Sequence, residues 1–486
     1  MSNNNLEYQT NKKTSKEQTS GWVNLKNAAC DFWHEFKRYK YGLVGVALFF
    51  IFLLVIIFEP FLIPFPEAGE KWRDITYWEN NPKSAAPAWT NWFSGKKRTV
   101  HEILTEPEWQ VEEVSNMKIV HGQFNYDYIY DLAPSDLIFK AESQGTLNLT
   151  FTLVRPDGLE VELGRKTLQS SRPRQLHLSL SNLGLDRAYE FGLDYDDKEV
   201  ANKIAKSLIK PVDILFARAQ KGIFREAVPL KGEYQLKIEG VVMGNGAYLK
   251  APYLIVGGKV FGILGTDNSK RDIWSGIIAG TKWALFIGLL TAAVSVCIGV
   301  IYGVASAYYG GWVDSLLMRV FEIFLSIPLL PVLIVLSAIF KPSIWTLIFM
   351  MCALYWTGSV KTVRSIGLQI KEETYVEAAR ALDASNARII FKHMIPQLIP
   401  YAFAAMALRV PVAILVEASI SLIGLGDATI VTWGQILHDA FNGGAVLQEI
   451  WWWVVPPGVF IALMGMTFAF MGFAMDTILN PKLRTR

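Results

Sequence analysis

Residues 372–400 read EETYVEAARALDASNARIIFKHMIPQLIP, a polar, charged island between two long apolar runs. Thr374 followed by Glu377 has capping-box spacing, so a helix is predicted to start at Thr374. Tyr375, Ala378, Ala379 and Leu382 recur at i, i+3, i+4 and i+7, which places a small, apolar stripe on one face of that short helix. The alanines leave room for a neighbouring surface to approach closely. The pattern breaks at Asp383, and Ile389, Ile390, Phe391 and Met394 begin a second helix leading to Pro396. The stretch reads as a docking element, with an ordinary amphipathic surface helix as the alternative.

The flanking runs set the class of the whole chain. Of 486 residues, 51% are hydrophobic and 19% charged, a membrane-embedded composition, and a net charge of +3 does not point to nucleic acid. Apolar runs fall at about 43–58, 283–309, 320–340, 343–360, 402–424 and 451–473. Each is near the roughly 20 residues a bilayer requires, so six spans are expected. Lys and Arg crowd the N-terminal region, the wider loop at 361–400 that holds the island (Lys361, Arg364, Lys371, Arg380, Arg388, Lys392) and the C-terminal end, whereas the loop at 425–449 has neither. Both termini and the island are therefore expected in the cytoplasm, with residues 65–260 outside. The first apolar run begins only near Gly42 and has no small-residue cleavage site after it, so no cleavable signal is expected.

Residues 1–41 read as a polar cytoplasmic tail, disordered to about Ser20, then an interfacial helix over 22–41 feeding the first span at 42–64. From 65 to 260 the periodicity changes. Leu147, Leu149, Phe151 and Leu153 alternate, as do Leu159, Val161 and Leu163, and Pro156-Asp157-Gly158 between them signals a hairpin. Leu176, Leu178 and Leu180 alternate again, then Tyr234, Leu236 and Ile238. The expectation is an inserted, mainly-β domain, a sandwich in outline, with one short helix near 200–209. Residues 261–486 then form a five-helix core with the island at 361–400.

Several strings carry a family resemblance. Glu377-Ala378-Ala379, the break at Asp383 and a Pro thirteen residues on resemble the cytoplasmic loop of ABC-importer permeases. FKRYKYGLVG near the first span, Gly265-Thr266-Asp267 with Arg271-Asp272, Ser326-Ile327-Pro328, EASISLIGLG at 417–426, Thr432-Trp433-Gly434, Pro457-Gly458 and LNPKL at 479–483 resemble the C-type permease of the dipeptide/oligopeptide importers, in the right order. The match covers roughly residues 30–85 and 260–486, and little of the insert. The sequence departs from the family at Asp383 and Lys270, where Gly is usual. The resemblance implies an α-helical membrane protein with the six transmembrane helices of the type I ABC importer permease fold. It also implies a second permease subunit, two ATPase subunits holding ATP and Mg, and an extracytoplasmic substrate-binding protein in the cytoplasmic membrane. Thr374, Tyr375, Glu377, Ala378, Ala379, Leu382 and Asp383 would form the ATPase-coupling helix. Peptides are the implied cargo, with oligosaccharides and nickel chelates as alternatives.

Other residues stand out on physical grounds. Asp267 either caps an outer interfacial helix at 273–278 or contacts substrate, with Arg271 and Asp272 beside it. Pro328 and Pro331 bend a span, lining a pathway or packing a kink. Arg409 and Glu417 lie inside an apolar run, where an unpaired charge is costly. Eight residues apart, about 12 Å along a helix, they do not pair, so each faces another helix, water or a partner. In the resemblance Glu417 holds its span against a neighbouring helix or the second permease. Arg409 lies outside the family pattern, and a substrate carboxylate is one partner for it. The six histidines lack ligand spacing and no G-x-x-x-x-G-K-[ST] string occurs, so neither a metalloprotease nor an intrinsic ATPase is supported, and no cofactor or metal is expected on this chain. A membrane-anchored receptor with an extracellular β domain remains as the reading from another class.

Overall fold

The computed structural model describes residues 33–479 except 106, 115–116, 169–173, 197–203 and 205. The polar tail, most of the interfacial helix at 22–41 and residues 200–203 and 205 of the helix expected at 200–209 lie outside the described residues; of the rest of that helix, Lys206–Leu208 forms a 3-10 turn. The described chain falls into two units, one comprising residues up to 70, 275–442 and from 455 on, the other 71–274 with 443–454.

In chain order, helix α1 (Lys40–Ile57) precedes the strands β1 (Glu102–Leu104), β2 (Glu108–Val114), β3 (Met117–Tyr128), β4 (Leu137–Val154), β5 (Glu160–Leu168), β6 (Arg174–His177) and β7 (Gly232–Val256), with helix α2 (Asn182–Tyr195) after β6. All belong to one antiparallel sheet of order β2-β3-β7-β4-β5, with β1 on β7 and β6 on β4. This corrects the sandwich. The alternation at 147–153 and 234–238 lies in two strands of 18 and 25 residues that pair with each other, and β5 and β6 both pair with the first of them, so the segments build one sheet rather than two. The hairpin at Pro156-Asp157-Gly158 is present, with Val154 opposite Glu160 and Gly158 at φ +81°. Leu178 and Leu180 fall beyond β6, because Ser181 caps α2 by accepting from the Gly184 amide at 3.1 Å and ends the extended chain.

The alternating residues do face a core. Leu149, Phe151, Leu153, Leu236 and Ile238 are buried around Phe139, Phe216 and Tyr234. The buried Arg155 guanidinium donates to the carbonyls of Leu215 (2.8 Å) and Ala217 (2.6 Å) and pairs with Asp157 at 2.8 Å. It thereby satisfies the end of a short helix, Pro211–Leu215, against the sheet.

The other unit is helical and includes α1: its further helices are α3 (Ile273–Tyr309), α4 (Gly311–Ser326), α5 (Leu329–Ile339), α6 (Ile344–Tyr355), α7 (Thr357–Lys371), α8 (Thr374–Ala381), α9 (Ile395–Leu422), α10 (Trp433–Asn442) and α11 (Trp451–Leu479). Among the described residues, four helices are long and apolar enough to cross a membrane, and the number reaches six if each bent pair, α4 with α5 and α6 with α7, counts as one span. The expected runs thus map onto helices, but two are broken. The 80° bend between α4 and α5 sits at Ile327-Pro328. Ile327 is extended (φ −74°, ψ 124°), as a residue before proline prefers. The separate interfacial helix expected at 273–278 is the first turn of α3. Thr281 and Lys282 interrupt the hydropathy but not the helix: Thr281 Oγ1 donates to the Ile277 carbonyl at 3.0 Å, and Lys282 pairs with Glu59 at 3.2 Å.

Helix α3 meets α7 through glycines. A Cβ at Gly299 would lie 2.6 Å from the Trp356 carbonyl oxygen, and one at Gly303 would lie 2.8 Å from Val363 Cγ1. This is the small-xxx-small approach that lets two helix backbones come close.

Candidate coupling helix and pathway residues

Helix α8 begins at Thr374, as expected, but the capping box does not form: Glu373 is the N-cap, no side chain caps the helix, and Thr374 is its first helical residue. The far end is well made. The Asp383 amide donates to the Arg380 carbonyl (3.0 Å) and the Ala384 amide to the Ala379 carbonyl (3.1 Å), with Asp383 at φ +59°. That is a Schellman ending, in which the residue after the C-cap is left-handed. Ala379 and Ala384, the two positions that normally touch across such a turn, both pack against the adjoining core. Asp therefore takes up the left-handed conformation for which glycine is the usual choice.

The faces of α8 are sharply divided. Val376, which lies off the predicted stripe, is fully buried with Val304, Tyr308, Val363, Ile389 and Met394. Tyr375 and Leu382 are 40% and 83% exposed, and Glu377 and Ala378 are exposed beside them. So Tyr375, Ala378 and Leu382 of the stripe point away from their own chain, while Ala379 packs inward. Polar links add to Val376. Tyr308 Oη donates to Asn386 Oδ1 at 2.7 Å, and Arg380 lies over the Tyr308 ring at 5.8 Å. Arg364 on α7 makes a two-point pair with Asp314 on α4 (2.7 and 2.5 Å), and Ser306 on α3 also donates to Asp314. The short helix is thus tied to α3, α7 and the start of α9.

After α8, Ser385 caps Asn386–Arg388, and a π-helical segment, Ile389–Met394, runs directly into α9. The second helix does not end at Pro396. Pro396 lies in the first turn of α9, where its missing N–H is tolerated, and Pro400 lies inside the helix.

The pathway candidates separate. Pro328 is the N-cap of α5, at the 80° bend. Glu417 is 5% exposed, and its Oε1 accepts from Ser421 Oγ and Thr432 Oγ1, both at 2.8 Å. Thr432 Oγ1 also accepts from the Gln435 amide at 3.2 Å, so Glu417 clasps α9 to the start of α10. Arg409 is half-buried and makes no ion pair among the described residues. Its guanidinium lies on the backbone of Gly358, where a Cβ would stand 1.2 Å from Nη2. Gly358 opens α7 just past the 40° bend, so the charge sits at a helix break.

Asp267 does not cap α3 in the expected way. Asp267 accepts from the amides of Ser269 (2.8 Å) and Arg271 (2.9 Å), and its carboxylate pairs with Arg271 Nε at 2.5 Å. Burial pushes its carboxyl pKa up, and the guanidinium and amides oppose that shift. Arg271 also lies over Trp72 at 4.6 Å. Asp272 is buried next to the start of α3 and bridges in β fashion to Thr266. The three residues lock a loop.

Sequence reasoning missed Val376, Tyr308, Asn386, Gly358 and the Asp314–Arg364 pair. The G-x-x-x-G spacing at Gly299 and Gly303 was the available signal for where α7 docks.

The family of the binding-protein-dependent transport system inner membrane component matches residues 295–485, and that of the N-terminal TM domain of oligopeptide transport permease C matches residues 30–87. The dipeptide transport system permease protein DppC of Bacillus subtilis is 35% identical over 221 residues, 45% of this chain and 68% of that protein. The chain belongs to the dipeptide/oligopeptide ABC permease family. The oligopeptide transport system permease protein OppC of the same organism is 34% identical, covering 45% of this chain and 72% of that protein. OppC of Haemophilus influenzae is 35% identical, covering 45% and 70%. This permease is a multi-pass membrane protein, and its relatives are transport components rather than enzymes.

Proposed function

We propose that the chain is one permease subunit of an ATP-driven peptide importer that works by alternating access in the cytoplasmic membrane, with six spans, both termini in the cytoplasm and residues 65–260 outside. The carrying observation is the divided surface of α8, with Val376 locked inward while Tyr375, Ala378 and Leu382 face out. An outward apolar stripe on a helix so firmly tied to its own bundle suits a lever pushed by another subunit. The ATP and Mg belong to two partner ATPases. A second permease and an extracytoplasmic binding protein complete the assembly. Peptide cargo is supported by the names of the relatives. Arg409, a charge at a helix break without a carboxylate partner among the described residues, is the residue proposed to meet an acidic group of the cargo.

The test is uptake into proteoliposomes holding the assembled complex, with labelled short peptides competing against oligosaccharides. ATP-dependent peptide accumulation supports the reading. Hydrolysis of ATP without peptide accumulation removes the cargo assignment. Arg409→Gln is expected to lower uptake of acidic peptides selectively, and an equal loss for neutral ones removes its assigned role.

A further inference from the structure

Residues 88–98 read AWTNWFSGKKR, and no Asp or Glu occurs anywhere from 80 to 101. The segment starts as a 3-10 turn, Ala88–Trp92, that leaves Trp92 and Phe93 82% and 81% exposed. Large aromatics so exposed are unusual on a surface that meets only water. Their neighbour Trp89 is half-buried and fixed: its Nε1 donates to the Ile263 carbonyl at 2.9 Å, and its ring lies 5.9 Å from that of Trp451. Trp451 is the first residue of the helix Trp451–Leu479, a candidate membrane span. A Trp at the head of a span marks the headgroup level of the bilayer, where an indole keeps its ring in the apolar boundary and its N–H in the wet layer. Trp89 is at that level because it touches Trp451. Trp92 and Phe93, in the same turn and one residue beyond, are free to enter the boundary. Lys96 and Lys97, both exposed, follow three and four residues after Phe93. A cationic pair beside exposed aromatics complements phosphate headgroups.

We propose that the Trp92-Phe93 turn inserts into the bilayer interface and that Lys96 and Lys97 bind anionic phospholipid there, pinning the β domain to the membrane surface. The occupant is lipid rather than protein because the turn adjoins the head of a span and the Lys96 and Lys97 side chains meet solvent, while the one carboxylate beside them, Asp131, which accepts from the Lys97 amide at 2.8 Å, is paired with Lys231 at 2.7 Å. The proposal rests on the reading of Trp451–Leu479 as a span.

The experiment places a spin label at Phe93 (F93C, with Cys30, Cys297 and Cys352 replaced by Ala) in the full chain, assembled in nanodiscs. Collision rates with oxygen and with a water-soluble nickel chelate report depth. Labels at Val459, exposed on the same span, and at Arg165, exposed on β5, serve as lipid and water controls. The Phe93 label is expected to meet the nickel chelate about threefold or more less often than Arg165, while remaining shallower than Val459. Its depth should increase with the anionic lipid fraction, and K96E/K97E should remove that dependence. A Phe93 label as accessible as Arg165, with Val459 in lipid, overturns the proposal. A Phe93 label that becomes shielded only when a protein partner is added also overturns it, in favour of a protein contact. Val459 in water overturns the span reading itself. Depth at Phe93 that still follows anionic lipid in K96E/K97E overturns the role of the two lysines.

Discussion

Asp383 offers a direct test of how the short helix α8 is finished. Its φ of +59° places a Cβ-bearing residue in the left-handed region, which costs an ordinary L-residue roughly 1–2 kcal/mol and Asp somewhat less. Asp383→Gly removes that strain but adds unfolded-state entropy of about 0.5–1 kcal/mol. The net gain should be small and positive, about 0.5 kcal/mol, because the Schellman bonds from the 383 and 384 amides are unchanged. Asp383→Val has a branched Cβ and no local hydrogen-bonding group, so it should cost about 2 kcal/mol. Hydrogen exchange of peptides spanning 378–390 in the assembled protein reads these differences as local opening. With tenfold per roughly 1.4 kcal/mol, the Gly variant should exchange about twofold slower at the two amides and the Val variant ten- to thirtyfold faster. Faster exchange in the Gly variant, or no change in the Val variant, would refute the left-handed turn as the ending of this helix.

Three further outcomes follow from the packing and the charges. Gly303→Leu should destabilise the helical unit by about 1–3 kcal/mol, because its side chain must displace Val363 and the Val360 carbonyl oxygen, 2.8 and 2.9 Å from the new Cβ. Thermal unfolding in detergent checks it, and an unchanged midpoint would mean that α3 and α7 do not touch there. Glu417→Gln keeps an acceptor for Ser421 and Thr432 and should cost less than about 1 kcal/mol. Glu417→Leu strands both hydroxyls and should cost about 1–3 kcal/mol, and the reverse order would dissolve the clasp between α9 and α10. His101 accepts from the Gly258 amide at 3.4 Å, and burial holds its pKa down at about 4. The unfolded chain, with an ordinary value near 6.5, then binds the extra proton first. Stability should accordingly be full above pH 6.5 and fall as pH drops towards 4, by up to about 3 kcal/mol, a loss that His101→Gln should flatten in pH-dependent unfolding.

Much of this architecture can be read in the chain because its signals are local. Apolar runs, a proline and the residue before it, and Pro156-Asp157-Gly158 each act within a few residues, and each produced the helix, bend or hairpin expected. The two ends of α8, Thr374 and the break at Asp383, were legible as well, although the capping box behind the first does not form. What escaped depends on partners distant in sequence. The apolar stripe of α8 was identified, but periodicity does not say which of two apolar faces is covered. Val376 turned inward because Tyr308 and Met394, 68 residues before it and 18 after, supply the pocket. The single sheet was missed because β4 and β7, separated by the whole stretch from 155 to 231, pair along nearly the full length of β4, with bulges at 140/142 and 144/146 that blur the alternation. Asp267 lies six residues before the first residue of α3, outside the reach of a cap, and Arg271 four residues on takes its carboxylate at 2.5 Å.

The central claim, that the outward stripe of α8 is where an ATPase subunit pushes, is tested most directly by the affinity of purified cognate ATPase subunits for the assembled permease pair. Leu382→Glu changes an 83% exposed side chain and should leave the fold intact. The account predicts that it weakens ATPase binding at least tenfold, whereas Trp345→Glu, equally a change at an exposed apolar residue but on α6, does not. Undiminished binding by Leu382→Glu, with the chain folded, would contradict the account.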